Sequence, residues 1–105
     1  MQNTIKNIVE VLDKNKAEAI EVFDLMDKDY FVDSVVIASS LGQKHTLALL
    51  DHLKKELKPA QKFNNVDESS DWVVIDLGDI LIHIMTSEYR TKYDMESFLA
   101  QLSEG

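Results

Sequence analysis

The stretch Asp71–Met85, DWVVIDLGDILIHIM, constrains the fold more than any other part of the chain. It reads as two strands joined by a tight turn. Gly78 is the turn residue, because glycine alone takes φ > 0 without steric cost. A two-residue loop Gly78-Asp79 puts glycine first, as a type II′ hairpin turn requires. Leu77 then lies opposite Ile80, Ile75 opposite Ile82 and Val73 opposite Ile84, so these six apolar side chains share one face. The other face pairs Asp76 with Leu81, Val74 with His83 and Trp72 with Met85. Moving the turn back to Leu77-Gly78 would set Asp76 against Asp79, and like charges directly opposite are destabilising. The aliphatic face belongs to a core. The mixed face, with its acid, histidine, tryptophan and methionine, is open to a helix, to solvent or to a partner.

A chain of 105 residues with 45% hydrophobic content suits one domain, residues 1–105, around a real core. Three glycines and one proline leave little room for long irregular segments. There is no cysteine, which excludes disulfides, a thiol nucleophile and thiolate metal sites and permits a reducing compartment. No apolar run approaches the ~18 residues of a membrane span, and MQNTIKN lacks a signal peptide's apolar region. The expectation is a soluble cytoplasmic protein with no membrane partner. A formal net charge of −8 makes direct binding of free nucleic acid unfavourable, since phosphate binding needs a basic surface. An acidic protein can still reach a nucleoprotein particle by docking on one of its basic proteins, and the same charge keeps a small domain soluble.

In chain order, Thr4–Lys14 is a helix with the stripe Ile5, Ile8, Val9 and Leu12, capped by Asn3 or Thr4 and stopped near Asn15. Ala19–Leu25 is a strand, and Met26–Phe31 a polar connection. Val32–Ser39 is a second strand, apolar on both faces through Val35–Ala38 and therefore central. Ser40–Gln43 turns into the longest helix, Lys44–Lys58, with the stripe Leu47, Leu50, Leu53 and Leu57 widened by Leu49, and Pro59 ends it. A short edge strand near Lys62–Asn64 precedes the hairpin. Thr86 or Ser87 then caps a short helix carrying Tyr89, Arg90 and Tyr93. Asp94 bends or restarts it, and Met95, Phe98, Leu99 and Leu102 give the last stripe. The order α-β-β-α-(β)-β-β-α predicts a single-domain α/β sandwich, with helices packed on a mixed sheet of four or five strands.

The residues that bear chemistry are sparse. Asp76 and Asp79 lack a third ligand for Mg²⁺, so a strand-end acid and a turn acid describe them better. His45 and His52 are two helical turns apart, too far for direct co-ligation. His83 reads as a half-buried strand histidine beside Val74. Ser39-Ser40 ahead of Leu41-Gly42 lacks the glycines and the Lys-Ser/Thr pair of a phosphate loop. No Ser-His-Asp arrangement is present. No catalytic residue, metal or cofactor is expected. Trp72, Met85, Tyr89, Arg90 and Tyr93 include the residue types that anchor protein interfaces, although Trp72 and Met85 equally suit a core beneath the C-terminal helix.

Two stretches resemble the ribosomal silencing factor family (RsfS, also called Iojap). The first is Asp33-Ser34-Val35-Val36-Ile37-Ala38, followed by the turn Ser39–Gln43 and then Lys44-His45. The second runs from Trp72 through Asp76-Leu77-Gly78-Asp79 and His83 to Met85, with Arg90 and Tyr93-Asp94-Met95-Glu96 in step. The match extends in order over nearly the whole chain. Ser34 stands where the family has Tyr, Ser40 for Gly, Leu77 for an aromatic residue and Leu99 for Trp. The resemblance implies a nucleotidyltransferase-like fold and a cytoplasmic protein without enzymatic activity. It implies binding to protein fourteen of the large ribosomal subunit. Bound there, the protein would block joining of the small subunit and repress translation in starved or stationary cells. Homodimers of the free protein are compatible with it. The expected binding surface is the hairpin and the helix after it. Trp72, Leu77, Met85 and Tyr89 would form its apolar centre, Asp76, Asp79 and Glu88 would face basic groups, and Gly78, Arg90 and Tyr93 lie beside them. The competing reading is a small nucleotidyltransferase-like enzyme using Mg²⁺ with Asp76 or Asp79. The sequence speaks against it, having neither the Gly-Ser turn nor an Asp-x-Asp pair in a hairpin strand.

Overall fold

The computed structural model describes residues 2–28, 30–57 and 62–104. Nine elements follow in order: α1 (Gln2–Lys14), β1 (Glu18–Asp24), β2 (Ser34–Ser40), α2 (Gln43–Leu57), β3 (Asn65–Asp67), β4 (Trp72–Asp76), β5 (Ile80–Thr86), α3 (Ser87–Tyr93) and α4 (Met95–Glu104). The strands form one five-stranded sheet in the order β1-β2-β5-β4-β3. Only β2 and β5 run parallel; the other neighbours are antiparallel. The α/β fold, the mixed sheet and the central place of β2 agree with the sequence reading. Every residue of β2 is buried, as apolar character on both faces requires.

The hairpin has the expected register. Trp72 pairs with Met85, Val73 with Ile84, Val74 with His83, Ile75 with Ile82 and Asp76 with Leu81. Leu77 N–H donates to the Ile80 carbonyl at 2.9 Å, closing a two-residue loop with Gly78 at φ 100°. A Cβ at Gly78 would come within 3.2 Å of the Asn64 side chain, so both the backbone angle and the space favour glycine here. The Asp76 carboxylate accepts the Gly78 N–H at 2.8 Å, an acid used to build its own turn.

The six aliphatic residues of the hairpin all enter one core with Val36 and Ala38 of β2, Ile8, Val11 and Leu12 of α1, and Leu49, Leu50, Leu53 and Leu57 of α2. A second, smaller cluster on the opposite face holds Leu25, Val32, Val35, Ile37, Leu81 and Leu99. Helices α1 and α2 thus cover one face of the sheet, while α4 with Leu25, Tyr30 and Val32 covers part of the other.

Several boundaries and stripes differ from expectation. Helix α1 begins at Gln2, ahead of the Asn3 or Thr4 cap, and Val11 enters the core while Val9 is half-buried. Its C-terminal end at Lys14, with the stop at Asn15, is as expected, and a left-handed residue at Lys16 (φ 71°) completes the turn. Lys16 N–H reaches the Asp13 carbonyl, and Ala17 N–H reaches that of Leu12. In α2, Leu47 is exposed and Thr46 takes the buried place. The Thr46 hydroxyl shares a 2.5 Å hydrogen bond with that of Ser40, which belongs to β2 and not to the turn. Lys58 and Pro59, the expected end of that helix, lie outside the described residues. The edge strand is Asn65–Asp67, displaced from Lys62–Asn64, because its pairing is set by Asp76, Ile75 and Val74 across from it. Asp94 divides the C-terminal helix by adopting a left-handed conformation (φ 45°). Thr86 stands at the N-cap of α3, yet its side chain makes no capping bond. Phe98 is exposed, and Leu99 alone of that stripe is fully buried.

Candidate partner-binding site

The register places Asn65 and Asp67 of β3, and Trp72, Val74 and Asp76 of β4, on the same face as His83. Helix α4 lies against β1 at the far side of the sheet. Among the described residues the β3–β4 half of this face is therefore only partly covered: Asn65 and Asp67 are exposed and Trp72, Val74 and Asp76 half-buried. Helix α3 leaves β5 beside Trp72 and adds two rings. Trp72 lies 5.2 Å from Tyr93, and Tyr93 lies 5.6 Å from Tyr89, centroid to centroid. Lys92 Nζ sits 5.8 Å and 5.5 Å from the Tyr89 and Tyr93 centroids, within cation–π range of both. Asp67, Glu68, Ser69, Trp72, Val74 and Tyr89 line a shallow groove beside this aromatic run. Val74 shares the face of Trp72 as the hairpin register expects; Asp67 and Glu68 escaped the sequence reading, because only the β3–β4 pairing brings them beside Trp72.

The structure divides the expected surface residues into three groups. Trp72, Tyr89 and Tyr93 form one aromatic run, with exposed Glu88 at the start of α3. Asp76 ends β4 on the order of 13 Å from Trp72 at ~3.3 Å per residue, and Gly78 and Asp79 are exposed in the turn beyond it. Leu77 is buried on the aliphatic face. Met85 and Arg90 are also buried, at 1% and 7% exposure, and neither presents a surface.

Arg90 is instead a tie between four elements. Its Nε and Nη2 take both carboxylate oxygens of Glu96 on α4, at 2.6 and 3.0 Å. Nη1 donates to the Ala19 carbonyl at 2.6 Å and to the Ser39 hydroxyl at 2.9 Å, and Nη2 also reaches Glu21 at 3.1 Å. Ala19 sits at φ 47° in an irregular stretch of the β1–β2 ladder, so the guanidinium braces a strained backbone. Hydrogen bonding to Arg90 holds the Glu96 carboxyl at about 2. Hydrogen bonding to Glu96, then burial, pushes Glu21 up. An arginine in a sequence carries no mark of such internal partners, and its interface-like character was misleading here.

His83 is 3% exposed, and its Nδ1 accepts the Trp72 indole N–H at 3.0 Å. Burial drives its pKa from the ordinary 6.5 to about 4, so the ring is neutral at pH 7. Between those two values the unfolded chain binds the proton and the folded chain does not, so stability falls as pH drops through this window. Urea midpoints should decline between about pH 7 and about pH 4.5, by at most ~3 kcal/mol in unfolding free energy. His83→Asn should flatten that decline.

The remaining candidates have structural uses. His45 accepts the Leu41 N–H at 2.8 Å and donates to the Asn15 carbonyl at 2.8 Å, linking α1 to α2. Among the described residues, no group of three His, Cys, Asp or Glu could hold a metal ion. Among them, too, no helix is long and apolar enough to cross a membrane.

Fold and site together define a small single-domain α/β protein whose distinctive surface is a partly bare sheet face with an aromatic run and acidic surroundings. The profile of the family described as "Ribosomal silencing factor during starvation" matches residues 1–104, and the chain belongs to that family. It is 30% identical over 99 residues to the ribosomal silencing factor RsfS of Haemophilus influenzae, covering 91% of this chain and 97% of that protein. It is 29% identical over 99 residues to the mouse protein named mitochondrial assembly of ribosomal large subunit protein 1, covering 88% of this chain and 43% of that one. A crystal structure of a Chromobacterium violaceum protein shares the fold, with a TM-score of 0.88 at 24% identity, over 94% of this chain and 85% of that one.

Proposed function

We propose that this protein binds the large ribosomal subunit in the cytoplasm through that subunit's protein fourteen, and by its bulk prevents the small subunit from joining. Translation would thereby be repressed under starvation or in stationary phase. The observation that carries this reading is membership of the silencing-factor family over 1–104. The mouse relative's name also ties such a chain to the large subunit. The surface suits the role: Trp72, Tyr89 and Tyr93 act as anchors, and Asp76, Asp79 and Glu88 face basic groups of the ribosomal protein. Leu77, Met85 and Arg90 support this surface from beneath, and Gly78 shapes the turn. A specific interface buries roughly 1,200–2,000 Å² in total. A body of 36 × 33 × 22 Å seated on the joining face is an effective steric block. On this reading the protein acts by occupancy, with no reaction and no cofactor.

The test uses separated ribosomal subunits mixed under joining conditions and resolved on a sucrose gradient. Excess protein should move material from the joined peak to the separate subunit peaks. A joined peak unchanged at saturating protein would overturn the steric role.

A further inference from the structure

Trp72 is the one tryptophan of the chain, and it is held by a group that the interface reading does not use. The indole is half-buried, and its N–H is turned inward to His83 Nδ1 at 3.0 Å. The two rings lie 5.9 Å apart, and on α3 the Tyr93 ring lies 5.2 Å from the indole. Accepting at Nδ1 requires the tautomer with its proton on Nε2. Nε2 is buried and has no hydrogen-bond partner among the described residues. A buried donor without a partner costs stability, so aliphatic packing would suit this position better if packing were all it served. What the imidazole supplies is a fixed acceptor for one indole. It leaves Trp72 no free donor and one orientation, with its ring beside Tyr93 and along the Val74 groove.

We infer that His83 is a positioning residue for partner binding: its buried imidazole locks the Trp72 indole in the orientation that the ribosomal partner meets. This rests on the functional reading above. Preorganising an aromatic anchor strengthens binding by removing the cost of ordering it on contact. It adds no contact between His83 and the partner.

The experiment compares wild type, His83→Leu and His83→Asn. The Asn side-chain oxygen can stand where Nδ1 stands. Three quantities are read: the single indole N–H resonance with its hydrogen exchange, the urea midpoint, and the affinity for isolated large subunits by co-sedimentation. In His83→Leu the indole signal should move to the position of a solvent-exposed indole and exchange faster. Affinity should fall about five-fold, the equivalent of one hydrogen bond of ~1 kcal/mol. The urea midpoint should hold or rise, which a merely structural histidine would not allow. His83→Asn should restore both the indole signal and the affinity. If the wild type binds and His83→Leu binds equally well, or if Asn restores neither quantity, the inference is overturned alone. A wild type that binds no large subunit overturns the functional reading and this role with it.

Discussion

Arg90→Ala should lower the unfolding free energy by about 3 kcal/mol. Charge-assisted hydrogen bonds contribute roughly 1.5–3 kcal/mol each, and breaking a buried ion pair costs about 3–5. Arg90 makes several such bonds while 7% exposed. Its acidic partners set the lower figure. The Glu96 and Glu21 side chains are 32% and 50% exposed, so water takes over part of what the guanidinium gave them. The Ala19 carbonyl and the Ser39 hydroxyl lose a donor at an already strained point of β1. The pH signature is specific. With Glu96 held at about 2, its contribution is present above its ordinary 4.5 and lost as pH falls below that value. Glu21, pushed up, contributes in the opposite sense and offsets part of it. In the variant, the Glu96 titration measured by NMR should move back toward the ordinary carboxylate range. A thermal midpoint and a Glu96 titration both equal to wild type would remove Arg90 from this role.

Ile82→Ala should cost more, about 4 kcal/mol, near the upper part of the roughly 2–5 seen for such truncations in well-packed cores. Ile82 is fully buried on β5, between Val36 of β2 and Ile75 of β4. Strands on both sides fix its neighbours, so the space left behind cannot collapse. Against the 5–15 kcal/mol typical of a domain, this is a large fraction. A urea midpoint within error of wild type would mean that the aliphatic face of the hairpin is not the core.

The hairpin was legible because three signals agree there: one glycine where φ must be positive, six aliphatic residues falling on one face, and an electrostatic penalty on the competing register. The central position of β2 was legible from its unbroken apolar run. Other features depend on contacts that no local pattern records. Thr46 replaces Leu47 on the buried side of α2 because Ser40 gives its hydroxyl a partner across the crossover. The edge strand is three residues long and owes its place to β4, so composition alone put it too early. Of the surface residues, Trp72, Tyr89 and Tyr93 did come together, because α3 follows directly from β5. Leu77, Met85 and Arg90 went inside. Residue type alone could not separate an interface arginine from one that binds a backbone carbonyl 71 positions away. Nor could the mixed face of the hairpin reveal that α4 would lie against β1 and leave the β3–β4 half of that face partly exposed.

The most direct measurement is equilibrium co-sedimentation of the purified protein with isolated large ribosomal subunits, at low and high salt, alongside Tyr89→Ala/Tyr93→Ala. Tyr93 is 48% exposed and Tyr89 half-buried on α3, so truncating them leaves both core clusters in place. Loss of interface anchors typically costs 2 kcal/mol or more, roughly a thirty-fold weakening. The wild type should co-sediment at low salt and less at high salt, and the double variant should weaken by about that factor. Its thermal midpoint should stay near wild type. A wild type that stays at the top of the gradient, or a double variant that binds as tightly as wild type, would contradict the account.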